Sequence, residues 1–324
     1  MEPYIAKGLL RNPNINTILS SSALRKLKLD ANERTFLKQS QQHVINAGDN
    51  IRLSAKFTRQ DEASAPVVIL LHGWLGCSES RYLISLSSFL FEQGFHIVRL
   101  NFRDHGFSEY LNKGLFHSCR IQEVIDACIN IQDKFNSSPL SIIGFSLGGN
   151  FALRINALTN REQLRIHKTI SFCPVMDPSS TLSALEKTNP AYSHYFMRLW
   201  KGSFKRKIAA FPEIYSKKLL KEFTSLRAAT ERLAIGFAGF KSLDSYLNGY
   251  AITGEKLRQL QSPAHIVLAK DDPIIPWQNH HHLATPASLS ITHCQHGGHC
   301  GFLAPNLRSP WLDQFSLTTL QQND

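Results

Sequence analysis

A chain of 324 residues can bury one large core, and its 43% hydrophobic and 19% charged residues exclude a disordered chain. Six cysteines (Cys77, Cys119, Cys128, Cys173, Cys294 and Cys300) lie in no paired spacing, which excludes a disulfide framework and reads as buried reduced thiols. No window approaches the roughly 18 unbroken apolar residues of a spanning helix, and the net charge of +11 needs a surface or partner that uses it.

The first residues, MEPYIAKGLLRNPNINTILSSS, hold no continuous apolar run of the kind a secretory leader carries, so a cytoplasmic location is expected. HVINAGDNIRLSAKFTR (43–59) reads as an antiparallel hairpin ahead of the main sheet. Short β-branched runs then recur: PVVILLHG (66–73), HIVRLNF (96–102), LSIIGFS (140–146), KTISFCP (168–174), AHIVLAKDD (264–272) and SLSITHCQ (288–295). Their near-continuous apolar character suits strands buried on both faces. SRYLISLSSFLFEQG (80–94), RIQEVIDACINIQDKF (120–135) and GNFALRINALTN (149–160) carry helical spacing between them. Alternating strands and helices predict a mostly parallel sheet covered by helices on both faces. From about 179 to 256 no good strand occurs, and the stretch is helical, aromatic and basic. It reads as a cap inserted between the sixth and seventh strands, over a core made of residues 1–178 and 257–324.

The chemistry starts at LSIIGFSLGGN (140–150), a strand that runs into Gly-x-Ser-x-Gly and then a helix. This is the pattern of a nucleophile elbow, in which a tight turn presents the hydroxyl of Ser146 at the sheet edge. Gly144 and Gly148 let neighbouring backbone pass where a Cβ would clash, and the competing reading is an ordinary β–α turn with a serine cap. A serine nucleophile needs a base, and the base needs an acid to orient it. After such an elbow the acid and then the histidine follow in chain order. KDDPIIP (270–276) and HGGHCGF (296–302) supply both on loops at the same edge. Within the first loop, Asp272 fits a carboxylate leaving the strand before a proline-closed turn, and Asp271 does not. Among His293, His296 and His299, the last follows two glycines that let the loop bend towards the serine. His293 reads as a strand residue and His296 as a loop residue. The oxyanion donors are expected to be the backbone N–H groups of Leu147 and Trp74, the latter in the loop opened by His72 and Gly73. His72, Asp104 and His105 read as residues that shape loops. The histidine-rich stretches His280-His281-His282 and Cys294-x-His296-x-x-His299-Cys300 lack paired zinc spacing, so no catalytic metal is expected, and no glycine-rich phosphate loop calls for a cofactor.

With these residues in hand, the chain resembles the α/β-hydrolase fold and, within it, the YheT-like branch of bacterial esterases and eukaryotic lipid hydrolases. The resemblance rests on RNPNINTILSS (11–21), LLHGWLGCSESRYL (70–83), NFRDHGFSEYLNKGLFHS (101–118), GFSLGGN (144–150), AKDDPIIP (269–276) and HGGHCGFL (296–303), six motifs in order. The first is similar to the family's Asn-Pro-His-x-Gln-Thr-Leu box, with Asn14 and Asn16 in place of its histidine and glutamine. In the third, Asp104 and His105 depart from the family's usual Arg-Gly-Cys. The resemblance implies the triad Ser146, Asp272 and His299.

The cap carries most of the charge, with 14 Lys and Arg against six Asp and Glu between residues 180 and 260. In AYSHYFMRLWKGSFKRK (191–207), Tyr192, Tyr195, Phe196, Leu199 and Trp200 fall on one helical face, with Arg198, Lys201, Lys205, Arg206 and Lys207 mostly off it. Two readings follow: a lid helix with its cations in water, or contact with an anionic lipid surface. No recognition motif accompanies the charge, so no nucleic-acid partner is expected. The expected activity is hydrolysis of short- to medium-chain acyl esters through an acyl-enzyme. A phospholipase or thioesterase at a membrane, or a silent lipid- or protein-binding scaffold of the same fold, is the alternative.

Overall fold

The structure, a computed structural model, describes residues 2–21, 30–135 and 138–322. Eight strands form one sheet in the order β1-β2-β4-β3-β5-β6-β7-β8. They are β1 (Gln41–Asn46), β2 (Arg52–Thr58), β3 (Val67–Leu71), β4 (His96–Leu100), β5 (Leu140–Phe145), β6 (Ile166–Phe172), β7 (Ala264–Ala269) and β8 (Leu289–Cys294). From β4 to β8 every pairing is parallel. The hairpin β1–β2 is not separate from this sheet: β2 pairs antiparallel with β4 from Ala55↔Leu100 to Thr58↔Ile97 and extends it. The edge of β4 supplies backbone partners for β2, and Ala55 and Phe57 pack into the core beside it.

Period-two alternation divides the core. Val67, Ile69 and Leu71 of β3, with Leu140 and Ile142 of β5, face one apolar layer. Val68 and Leu70, with Ile143 and Phe145, face the other. That is why these strands read as unbroken apolar runs. Of the helices, α1 (Pro13–Ser21), α2 (Ala31–Gln39) and α3 (Arg81–Glu92) precede β4. Next come α4 (Ile121–Asp133) and α5 (Leu147–Leu158), and α10 (Pro310–Gln321) closes the described chain. Val124, Ile125 and Ile131 of α4 and Phe151 and Ile155 of α5 cover the first layer. Phe36 of α2, Leu83 and Leu86 of α3 and Phe315 of α10 cover the second.

Between β6 and β7 run α6 (Pro178–Lys187), α7 (Pro190–Ala210), α8 (Leu226–Ala238) and α9 (Leu243–Asn248). Proline at N1 or N2 and side-chain caps from Asp177 and Asn189 start the first two. They bury Leu182, Tyr192, Leu226 and Tyr246 against the first layer and hold a small cluster of their own around Phe204, Tyr215 and Phe223. The basic residues of α7 are not all in water. Lys207 is 1% exposed, pairs with Asp104 Oδ1 at 2.8 Å and donates to the carbonyls of Glu109 and Gly114. Arg206 pairs with Glu109 at 2.7 Å. Two cations of the predicted polar face therefore staple α7 to the loop after β4, because that loop brings buried carboxylates and turn carbonyls that need donors. Among the described residues, no helix is long and apolar enough to cross a membrane.

Candidate active site

The end of β5 makes the turn that the glycines permit. Ser146 takes φ 54° and ψ −117°, left-handed backbone that a side chain adopts at a cost. A Cβ on Gly144 would lie 2.2 Å from the Gly148 carbonyl oxygen, and one on Gly148 would lie 2.3 Å from that of Leu71. Both positions are closed to any side chain, so strand and helix can cross where the turn needs them to. A Cβ on Gly73 would lie 3.3 Å from the Ser146 Cβ, so the loop after β3 sits directly against the serine.

Three loops converge here. His299 Nε2 is 2.9 Å from Ser146 Oγ, and its Nδ1 is 2.8 Å from Asp272 Oδ2. The other oxygen of Asp272 accepts from the N–H groups of Ile274 and Ile275 at 2.8 and 2.9 Å, which fixes the carboxylate. The Asp272 side chain is 2% exposed. Burial alone would lower the His299 pKa, but the adjacent Asp272 carboxylate and its hydrogen bond outweigh that and carry it up to about 9. Asp271 plays a different part: Oδ1 accepts from the Gly298 N–H at 2.9 Å, and Oδ2 lies 3.3 Å from His296 Nδ1. His293 stays on β8, its ring 4.5 Å from that of His280, centroid to centroid.

The loops after β3 and β4 are held by two buried imidazoles. His72 Nε2 accepts from the Phe102 N–H at 3.2 Å, which puts its proton on Nδ1, facing the Gly73 carbonyl at 2.8 Å. His105 Nε2 accepts from the Leu75 N–H at 3.2 Å, and its Nδ1 faces the Arg103 carbonyl at 2.7 Å. Burial lowers both, His72 well below the ordinary imidazole value and His105 to about 4, so both are neutral near pH 7. They act as fixed struts. Asp104 accepts from the Phe116 N–H and from Lys207 and shapes its own loop. No hydrogen bond from the N–H of Trp74 or Leu147 is found among the described residues, and both residues line the cavity in front of Ser146.

A family model for the alpha/beta hydrolase fold matches residues 66–304. This chain belongs to the α/β-hydrolase fold family. Its likeness to a YheT protein is more distant. The chain is 25% identical over 316 residues to the Escherichia coli (strain K12) protein named "Putative esterase YheT", a match spanning 93% of this chain and 88% of that one. The esterase Pf2001 of Pyrococcus furiosus superposes with a TM-score of 0.56 at 16% identity, over 90% of this chain and 92% of that one. Est1E from Butyrivibrio proteoclasticus, solved with ferulic acid bound, superposes with a TM-score of 0.55 at 15% identity, over 86% and 100%. These two likenesses bear on the fold.

This α/β-hydrolase also uses its N-terminal segment at the site. Thr17 Oγ1, on α1, accepts the His299 N–H at 2.8 Å. Asn16, fully buried, sends Nδ2 to the Leu10 carbonyl at 3.1 Å and presents Oδ1 to the Leu303 N–H. Asn14 Oδ1 accepts from the Tyr192 hydroxyl of α7 at 2.9 Å. So the two asparagines that depart from the family's box both have partners, and α1 braces the histidine loop on one side and α7 on the other. The box resemblance marked this segment, but nothing local in it pointed to His299. Thr17→Val keeps the side-chain shape and leaves the His299 N–H without an acceptor. It is expected to lower kcat by roughly 5–30-fold, the kinetic equivalent of about 1–2 kcal/mol, with Thr17→Ser restoring it. Steady-state kinetics on the two variants check this, and equal losses in both would show that the hydroxyl is not what matters.

In front of Ser146 and His299 lies a cavity of about 740 Å³, within the roughly 300–1,000 Å³ of small-molecule sites. Phe196, Leu199 and Trp200 of α7, Leu182 of α6, Val175 and Ile274 give it an apolar wall. Trp74 stacks on Phe196 at 5.5 Å and meets Trp200 edge-on at 5.1 Å, so α7 rests on the loop that carries the expected oxyanion donor.

Proposed function

We propose that this chain is a serine carboxylic-ester hydrolase, with residues 179–256 as a cap over its acyl-binding cavity. One observation carries the reading: the hydrogen-bonded series Asp272–His299–Ser146 opens on an apolar cavity. Ser146 Oγ attacks the ester carbonyl carbon while His299 Nε2 takes its proton. Asp272 holds the ring in the tautomer that leaves Nε2 free and stabilises the imidazolium that forms. The N–H groups of Leu147 and Trp74 receive the oxyanion. His299 then gives its proton to the leaving alkoxide, and an acyl group stays on Ser146. A water molecule that loses its proton to the same nitrogen releases the acid and restores the serine. No step calls on a cofactor. The apolar wall favours acyl chains of short to medium length, lipid esters included. The basic exterior of the cap would favour their presentation at an anionic membrane surface, where the same triad would serve a phospholipase or thioesterase.

The test is twofold. A fluorophosphonate should add to Ser146 with loss of fluoride, a mass shift on the peptide containing residues 140–150. A series of p-nitrophenyl esters of increasing acyl length should be turned over with a defined optimum. A folded protein that takes neither reagent would overturn the reading.

The protonation of His299 sets the pH dependence. The base must be neutral, and Asp272 holds its pKa above the ordinary 6.5 and up to about 9. The profile of kcat/KM should therefore rise with pH, with an inflection between these values, and fall about tenfold per unit below it. An inflection below 6.5 would contradict the coupling to Asp272.

A further inference from the structure

Ser146 is not alone in its strained backbone. Cys173, which follows β6, has φ 45°, and Cys300, next to His299, has φ 56°. Such conformations gather where the surrounding structure dictates the backbone, often at functional sites. The two cysteines, distant in sequence, meet behind the triad. Their Sγ atoms and one ring nitrogen of His299 all lie within 4.8 Å of one another. Both thiols are buried, at 0% and 6% exposure. The thiols hydrogen-bond to each other, Cys300 Sγ lies 3.5 Å from the Phe172 carbonyl, and Cys173 Sγ lies 4.0 Å from that of Gly298. His299 and Cys300 line the cavity, which gives a small cation a route in. The proposed ester hydrolysis uses neither thiol.

We propose that Cys173, Cys300 and His299 bind a soft divalent cation of the zinc class, and that occupancy shuts the hydrolase off. Two thiols and an imidazole are the donors such ions prefer, with one position left open. A tetrahedral ion with bonds of about 2.0–2.3 Å needs donors roughly 3.4–3.8 Å apart, so side-chain shifts of about 1 Å close the site. Binding replaces two S–H bonds with two metal–sulfur bonds and releases two protons, and a third leaves His299 Nε2 where the ring is protonated. Asp272 already holds His299 Nδ1 and leaves Nε2 to the metal, the carboxylate–histidine–metal arrangement that strengthens such ligands. Ser146 Oγ, 2.9 Å from Nε2, stands near the open position. An ion on Nε2 removes the base from the triad, so it inhibits. Only this inhibitory half rests on the hydrolase reading.

The probe is Cd2+, added to the full chain under a phosphine reductant and followed by the ultraviolet thiolate-to-cadmium charge-transfer band. One equivalent should develop the band in the native protein, and equally in Ser146→Ala, where hydrolysis plays no part. The double variant Cys173→Ala, Cys300→Ala should lack it. Cys173→Ser, with an oxygen in place of sulfur, is the second variant, and thermal melts check both folds. Absence of the band in the native protein overturns the site. So does a band of equal size in the folded variants, which would place the ion on Cys77 or Cys119. In parallel, Zn2+ should stop ester turnover and a chelator should restore it. In Cys173→Ser the remaining turnover should need far more Zn2+, beyond the roughly 10–100-fold that loss of an outer-shell partner costs. A band without inhibition overturns the regulatory half. A band in a protein that hydrolyses no ester leaves the site standing and removes the hydrolase reading.

Discussion

Ser146→Ala is expected to lower kcat on p-nitrophenyl esters by on the order of 10⁶-fold, the loss seen when a triad nucleophile is removed. The substitution deletes one oxygen and nothing else. Alanine keeps the Cβ, so the strain of residue 146 at φ 54° is the same before and after. Among the described residues, the hydroxyl's side-chain partner is His299 Nε2. The melting temperature should therefore move little while turnover falls to the level set by the oxyanion donors and binding. Kinetics and a thermal melt on one preparation separate the two effects. Turnover within tenfold of the native protein would put the nucleophile elsewhere.

Asp272→Asn should cost about 10⁴-fold in kcat, because an amide cannot hold the imidazole in the required tautomer or stabilise its cation. Asparagine can still accept from the Ile274 and Ile275 N–H groups through Oδ1, so the turn survives. What changes is the atom facing His299 Nδ1. Without the carboxylate, burial is no longer outweighed by Asp272, and the His299 pKa should fall from its raised value. An NMR titration of the imidazole reads that fall directly. The neighbouring Asp271→Asn keeps an oxygen for the Gly298 N–H and should stay within about tenfold of the native rate. Equal losses in the two variants would assign the acid differently.

The site was legible where local chemistry repeats in the chain. Gly144, Ser146 and Gly148 mark a turn that only small residues allow, and the contacts of their missing Cβ atoms show why. Asp272 precedes Pro273, and its carboxylate turns back on the N–H groups two and three residues later, a short-range geometry that sequence spacing encodes. His299 stands after two glycines with φ of 149° and 56°. Near-continuous apolar runs marked the central strands because burial on both sheet faces constrains every residue of β3, β4 and β5.

Residues whose partners lie far along the chain were not legible. Thr17 sits 282 positions from His299, and no spacing rule links them. Lys207 reads as one more solvated cation of a basic helix until the loop after β4 surrounds it with acceptors. Cys173 and Cys300 look like two scattered thiols. The sequence by itself determined the alternation of strands and helices, the elbow, and the loops expected at its edge, because each depends on neighbours within a few residues; the strand order came from the structure. Only the tertiary structure decided that α1 braces His299, that α7 is tied down through a buried lysine, and that two thiols meet behind the triad. Those outcomes depend on how the parallel sheet brings the ends of β5, β6 and β8 together in space, which no local pattern records.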